Sequence, residues 1–578
     1  MQRAMTMKLS KTTTRVILAV IILLSLGVST LFLFTKQGYH EDELLTYNLA
    51  NSSKQLNIGG WNTPEDMNEY LAVYPEHRFD YAQVVQNQII DASHPPFYYA
   101  LVHTVCSFFP EVFSKWLAFA INLAMMTGAL LMLFQIGKRV TNSNLYALLA
   151  VGGYALSVAC ITTTVYLRMY ASLTFFVLAF ISLTLRFYEK KNRVLVTDCF
   201  LLLPVVVLGI LTQYYFILCA GLTGLVYLVF SIKEKNIKSL MLYIATALVG
   251  AGLALAIYPH IIQNVLGGNR GFGSLNFSVD AITIVTYVFY KLGTYVQILT
   301  KDLFLNLLPL FIGSTVLVIA AGIFFRAAMR RKLSRKAWFV IIPAVVYFLG
   351  IALVSPFNSD RYVMASLPLI AMLYTFAFIR IFRFLFRSEK LQWIQPLVMA
   401  AALVIGLLTV QPYYLYGKTN LYDAKTKDVV FVGTAMLEWN KCIDKFMNYD
   451  NIMIVQTAEM SRTLASELET FANDRGVVTN GKITAFADAY MNNGDVDRTG
   501  GDSLKNLGSD PRIAAEDEIT VYISRLADSD TVIDSITQNT QLKNYELIQA
   551  DYSFDEFYNW YDYFVETESY CNVYRFYK

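Results

Sequence analysis

VILAVIILLSLGVSTLFLF, residues 16–34, runs for 19 residues without a charge. At 1.5 Å per residue it makes about 28 Å of helix, enough to cross the hydrocarbon layer of a bilayer. Arg3, Lys8, Lys11 and Arg15 precede it, the basic flank expected on the cytoplasmic side. A secretory leader also starts basic, but its apolar region is only about 7–15 residues long and ends at a small-residue cleavage site. No such site follows, so the run is expected to persist as a first membrane helix. Directly behind it comes GYHEDELLTYNLANS, residues 38–52, with Glu41, Asp42 and Glu43 in succession. Three carboxylates at the exit from hydrocarbon are either a solvated turn or chemistry placed at the membrane surface.

The remaining composition fits that first helix. Of 578 residues 55% are apolar and 16% charged, with mean hydropathy +0.43, against about 25% charged in an ordinary soluble chain. The net charge of +3 conceals a division. Residues 417–578 hold 15 Lys+Arg and 27 Asp+Glu, a balance of −12, and the rest of the chain stands at +15. A basic membrane part followed by an acidic soluble part is the expected organisation. No nucleic-acid partner is implied.

Lys/Arg placement sets the expected path. Eleven spans follow from the apolar runs: residues 16–34, 116–136, 145–165, 171–185, 194–211, 216–230, 240–258, 303–325, 337–354, 363–379 and 394–415. The flanks assigned to the cytoplasm carry 23 basic and three acidic residues, whereas the first outer loop, residues 35–115, carries four basic and ten acidic. This puts the N-terminus inside and the acidic tail outside. The domain expectation is residues 1–415 as a membrane domain, with outer segments 35–115 and 259–302, and residues 416–578 as an extracytoplasmic α/β domain. Within the tail NIMIVQT, ITVYIS and NVYRFYK read as strands and MSRTLASELETFAND as helix. NNGDVDRTGGDS lacks EF-hand spacing. Cys442 and Cys571 are the only cysteines of the tail; whether they pair is left open.

The spans hold almost no ionisable groups, Asp198 near an inner end being the main exception. An ion-coupled transporter needs buried charge near the midplane. Here the distinctive polar residues gather at outer ends: Asp42, Glu43, His94, Arg168, Gln213, Asp360 and Arg361. They come from four separate places in the chain, the first outer loop and three other span ends, and the topology derived without them puts them on one side. That is the pattern of a site at the outer membrane face.

At these positions the chain resembles the GT-C class of polyprenyl-phosphate-sugar-dependent glycosyltransferases. The likeness is to the family 39 group of protein O-mannosyltransferases and lipid A aminoarabinose transferases. HEDELLTY (residues 40–47) is similar to the family's acidic pair after the first helix, and DASHPPFYYALVH (91–103) to its His-Pro-Pro or Lys-Pro element. YLRMYASLTFF (166–176) resembles its Arg-x-Tyr segment, LTQYYF (211–216) its Thr-His-Tyr-Tyr segment, and NSDRYVMASLPL (358–369) its Arg-Tyr…Pro element. Five motifs in register cover about the first 415 residues. Two departures limit what is carried over. Gln213 stands where a His is common, and aromatic residues replace the lysine that follows the Pro-Pro element in protein mannosyltransferases.

The resemblance implies a polytopic α-helical GT-C fold. Its activity would move a sugar from an undecaprenyl- or dolichyl-phosphate carrier to a glycan, lipid or protein acceptor, with inversion. Such transfer needs a base for the incoming hydroxyl and donors or cations for the leaving phosphate. Asp42 matches the base position, with Glu43 beside it as support. Arg168, His94 and Arg361 are expected at the donor phosphate, since arginine's fork gives two hydrogen bonds to phosphate. Tyr170, Gln213, Tyr362 and Arg270 are expected substrate contacts, and Lys291 is a weaker candidate. No cofactor is required by a single leaving phosphate, and a divalent metal stays open. A bacterial plasma membrane is the expected location. The rival readings are a lipid-linked-glycan transporter and a non-catalytic membrane scaffold or sensor.

Overall fold

A computed structural model describes residues 9–36, 39, 41–54, 61–62, 64–266, 281–303, 334–355, 360–385, 429–432, 453–455, 507–524, 529–553 and 570–578. The chain falls into two compact units. One comprises Met1–Leu33, Val84–Val102 and Ser114–Gln411; the other comprises Phe34–Gln83, His103–Phe113 and Pro412–Lys578. The expected boundary at 415/416 lies outside the described residues, as do the expected spans 303–325 and 394–415.

Among the described residues six helices are long and apolar enough to cross a membrane: Lys11–Phe34, Lys115–Thr141, Tyr170–Arg193, Tyr215–Lys233, Ile237–Ile257 and Arg335–Leu353. Two shorter apolar helices, Val196–Thr212 and Met364–Ile379, fall where spans are expected. The chain is a multi-pass membrane protein. Residues 145–165, read as one span, form two helices, α7 (Asn144–Ala155) and α8 (Val158–Val165), bent by 60°. The Ser157 hydroxyl accepts from the backbone N–H of Cys160 and starts α8 as an N-cap, satisfying a donor that a continuous helix would have used internally. Hydropathy averages see apolar content, not axis direction.

In the membrane unit α9 (Tyr170–Lys190) is buried along nearly all its length and packs on α6 (Lys115–Thr141) and α10 (Val196–Thr212). Small residues permit close approach, as is usual where lipid gives no hydrophobic drive. A Cβ on Gly137 of α6 would stand 3.1 Å from the Ala147 backbone of α7. Ser25 of α1 (Lys11–Thr35) donates to the Ala155 carbonyl at 2.6 Å, tying α1 to the end of α7.

The ends expected to face the cytoplasm are stapled by ion pairs. Glu189 meets Arg139 and, at 2.6 Å, Lys336; Glu234 meets Arg335 at 2.5 Å. Asp198, the lone carboxylate of the apolar runs, is explained here. It sits in the first turn of α10, accepts from the Leu195 backbone N–H at 2.8 Å, and pairs with Arg186 at 2.7 Å and Lys190 at 2.8 Å. It is a helix cap with two cations, as the positive N-terminal end of a helix favours.

The second unit contains a six-stranded sheet in the order β1-β3-β2-β4-β6-β5. The strands are β1 (Trp61–Asn62), β2 (Val429–Val432), β3 (Met453–Val455), β4 (Glu518–Ser524), β5 (Asn544–Ser553) and β6 (Tyr570–Tyr577). β2 runs parallel to both β3 and β4, and the remaining pairs are antiparallel. All three expected tail strands are present, as β3, β4 and β6. Alternate residues Ile519, Val521 and Ile523 of β4 point to one face and pack with Val532, Ile536, Leu542 and Phe576 in a buried cluster, the period-2 pattern of a strand with one covered face. β1 comes from residues 35–115, the loop expected to lie outside, so that loop supplies an edge of the tail sheet. Cys442, NNGDVDRTGGDS and MSRTLASELETFAND lie outside the described residues.

Candidate active site

In the membrane unit the chain leaves α4 (Tyr81–Asp91) through a tight turn before α5 (Phe97–Ser107). Asp91 Oδ2 accepts from the backbone N–H of Ser93 at 3.1 Å, and Ala92 sits in the left-handed region at φ 51°. Aspartate favours such turns because its side chain mimics a backbone acceptor. Pro95 and Pro96 then fix the following backbone. The turn aims His94, which is 7% exposed, inward.

Asp91 Oδ2 lies 2.8 Å from His94 Nδ1, and His94 Nε2 lies 3.2 Å from Nη2 of Arg168. A guanidinium only donates, so Nε2 accepts and Nδ1 carries the proton that is donated to Asp91. His94 is therefore a neutral imidazole in one tautomer, held between an anion and a cation. Arg168, 2% exposed, also donates from Nη1 to Tyr99 OH at 3.4 Å. Its own backbone turns sharply, its N–H meeting the Tyr166 carbonyl at 2.7 Å.

Asn122 of α6, which sequence reasoning passed over, holds this turn from the other side. Its Nδ2 donates to the carbonyls of Thr164 (3.1 Å) and Tyr166 (2.7 Å), and its Oδ1 accepts from Tyr98 OH (3.0 Å). A lone asparagine inside an apolar span was the available signal, because a polar amide in hydrocarbon needs partners. Arg361 donates from Nη1 to Tyr166 OH at 3.4 Å, and its guanidinium lies 5.2 Å from the ring centroid of Tyr362. Tyr166 stacks on Tyr170, centroids 5.8 Å apart, and Tyr362 meets Tyr215 edge-on at 6.0 Å. The structure thus gathers His94, Arg168, Tyr170, Arg361 and Tyr362 from three separated stretches around Tyr166, all of them buried.

Gln213 is placed differently. Its Oε1 accepts from the adjacent Tyr214 N–H at 2.7 Å, at the break between α10 and α11 (Tyr215–Lys233). Arg270 lies outside the described residues. Lys291, in α14 (Ala281–Asp302), is buried and donates to the Ser355 carbonyl at 2.7 Å, while Tyr295 OH and Ser355 Oγ lie 2.7 Å apart. These bonds fasten the start of the segment that leads to Arg361.

In the second unit α2 (Glu41–Asn51) opens with the acidic run. Asp42 is half-buried, and its carbonyl accepts from the Thr46 hydroxyl at 2.8 Å. Glu43 is wholly buried and pairs with Lys36 at 2.5 Å, both side chains at 0% exposure. Lys36 is a partner that sequence reasoning did not single out. Among the described residues no three His, Cys, Asp or Glu side chains stand together as a metal cluster.

No family model and no curated protein matches the chain. Solved structures do show similarity. ArnT from Cupriavidus metallidurans bound to undecaprenyl phosphate aligns with a TM-score of 0.42 and 10% identity, over 96% of this chain and 97% of that one. The Archaeoglobus fulgidus oligosaccharyltransferase in complex with Zn and sulfate gives 0.42 and 11%, over 88% and 68%. AglB from the same organism, in complex with an inhibitory peptide and a dolichol-phosphate, gives 0.41 and 11%, over 87% and 69%. Likenesses of this strength assign no role to any residue.

Proposed function

We propose that this chain is a GT-C-type glycosyltransferase. It moves a sugar from an undecaprenyl- or dolichyl-phosphate carrier to a glycan, lipid or protein acceptor on the extracytoplasmic side of a bacterial plasma membrane. The observation that carries the reading is the Asp91–His94–Arg168 relay with Arg361 on the neighbouring tyrosine. A neutral imidazole fixes the plane of a buried guanidinium without cancelling its charge. A pre-oriented, partly desolvated fork of this kind suits a phosphate leaving group, because it need not reorganise as charge develops.

In the proposed reaction an acceptor hydroxyl oxygen attacks the anomeric carbon on the face opposite the carrier phosphate. The new C–O bond forms as the bond from the anomeric carbon to the phosphate oxygen breaks, so the configuration inverts. Asp42 takes the hydroxyl proton, and polyprenyl phosphate leaves with its charge met by Arg168 and Arg361. His94 acts by orienting Arg168. Tyr170, Gln213, Tyr362 and Arg270 are the proposed substrate contacts, with Tyr362 beside Arg361. Residues 416–578 form the acidic extracytoplasmic domain of this proposal, with the N-terminus cytoplasmic. Nothing in the scheme requires a metal, and a divalent ion is neither assigned nor excluded.

The test is turnover by the purified full chain. A panel of radiolabelled undecaprenyl-phosphate sugars is supplied with extracted envelope glycans, lipids and proteins. Transfer by wild type, with Asp42→Asn reduced by about 10²–10⁴-fold, is expected of a lost general base. Undiminished transfer by Asp42→Asn sinks the base assignment. Donor binding without turnover under every acceptor favours the transporter or scaffold readings.

A further inference from the structure

The ion pair of Lys36 and Glu43 is a costly feature without an obvious stabilising purpose. Its atoms meet at 2.5 Å with both side chains at 0% exposure. Aromatic rings close over it: the Lys36 ammonium lies 5.4 Å from the Tyr39 ring centroid, Tyr39 packs on Phe113 at 5.1 Å, and Tyr47 meets Phe113 edge-on at 4.9 Å. Removing two charges from water is expensive, and two apolar side chains of similar volume commonly serve stability as well or better. What a charge pair adds over an apolar pair is direction. One arrangement satisfies it, and rotations or slips that separate the charges are strongly penalised.

The pair sits where direction matters. Lys36 precedes Glu43 by seven residues, and Glu43 lies in the first turn of α2. Successive residues of an α-helix project about 100° apart. Pinning Glu43 inward therefore fixes the rotation of α2 and sets Asp42 at its half-buried position. The Thr46 hydroxyl on the Asp42 carbonyl holds the same turn from within the helix.

We infer that Lys36 is a positioning residue for Asp42, acting through Glu43: the buried pair takes Glu43 out of the chemistry and locks the first turn of α2 so that Asp42 alone is presented. The inference rests on Asp42 being the base of the proposed transfer. It assigns the neighbouring carboxylates different tasks, one to receive a proton and one to hold an orienting pair.

The experiment compares wild type, Lys36→Met, Glu43→Leu, Lys36→Met/Glu43→Leu and Lys36→Arg as full-length proteins in detergent. Rates are normalised to folded, monodisperse protein, using the radiolabelled undecaprenyl-phosphate sugars and acceptors described above. Each neutralising single variant breaks the buried pair. It should lose about tenfold or more in kcat with donor KM little changed, and the double variant should recover most of that loss, a coupling of the size that contacting pairs show. Lys36→Arg should retain more activity than Lys36→Met. Single variants as active per folded molecule as wild type overturn the positioning role. A double variant as inactive as Glu43→Leu also overturns it, because Glu43 would then be acting chemically. A wild-type chain that transfers no sugar from any donor overturns the glycosyltransferase reading itself, a result distinct from either of these.

Discussion

His94 Nε2 accepts from Nη2 of Arg168 at 3.2 Å while His94 Nδ1 donates to Asp91 at 2.8 Å. The imidazole is thereby committed on both sides. In the proposed reaction its contribution is the orientation of the arginine. The sequence suggested His94 at the donor phosphate beside Arg168, and the two side chains are hydrogen-bonded.

Replacing Arg168 tests that arrangement most directly. Lys is a point charge without a planar fork and cannot reproduce the donors directed at His94 and Tyr99. Arg168→Lys is expected to lower kcat/KM for sugar transfer by about 10²-fold, the scale of losing one pre-organised donor to a developing charge. Transfer at half the wild-type rate or above would remove Arg168 from the leaving-group side of the reaction.

Asn122 supports the same turn from inside the membrane unit. Asn122→Leu keeps much of the volume but removes the hydrogen bonds to the Thr164 and Tyr166 carbonyls and from the Tyr98 hydroxyl. A loss of about 1–3 kcal/mol is expected for these buried hydrogen bonds, read as a lowered thermal midpoint in detergent. Because Tyr166 precedes Arg168 by two residues, transfer per folded molecule should fall as well. Tyr98→Phe, which removes one bond of the three, should show a smaller drop in both.

Gly508 tests the packing of the tail sheet independently of catalysis. Its N–H donates to Ser535 Oγ at 3.0 Å, and a Cβ would stand only 2.0 Å from the Ser535 carbonyl oxygen. Backbone cannot yield as a flexible side chain does. Gly508→Ala should therefore cost about 1–3 kcal/mol, as overpacking of a tight site does. Limited proteolysis of the full chain should show earlier cleavage within the tail, and resistance equal to wild type would argue against this packing.

His103 gives an acid sensitivity with a definite sign. It is buried and stacks edge-on with Tyr81 at 5.8 Å, and burial holds its pKa below the ordinary 6.5. The unfolded chain then binds the proton more readily, so stability rises with pH through this window and is lost as pH falls from about 6.5 toward the lower folded value. One linked proton changes stability by at most about 1.4 kcal/mol per pH unit. The wild-type thermal midpoint should fall between pH 7 and pH 5, and His103→Phe should flatten that fall. Parallel curves for the two proteins would mean that His103 is not the group responsible.

Much of the fold was legible because partition between water and hydrocarbon is nearly a residue-by-residue property. The apolar runs mark helices wherever the chain is described, and the basic clusters mark one set of helix ends. Asp198 looked anomalous in a hydropathy reading and became ordinary once Arg186 and Lys190 were seen around it. The break at Ser157 was hidden by the apolar content on both sides of it. β1 left no signal at all, since two residues of a loop pair with a strand almost four hundred positions later.

For the site, the sequence by itself determined the residue types and their places along the chain: a carboxylate behind the first apolar run, and His94, Arg168 and Arg361 beside later ones. Only the tertiary structure decided their partners. It bound His94 to Arg168, set Arg361 on Tyr166, placed Asn122 beneath both, and paired Glu43 with Lys36, leaving Asp42 half-buried. Solvation energy is set locally by each side chain. Hydrogen bonds and ion pairs depend on distances of about 3 Å between groups that can lie far apart along the chain, and those distances exist only once the chain has folded.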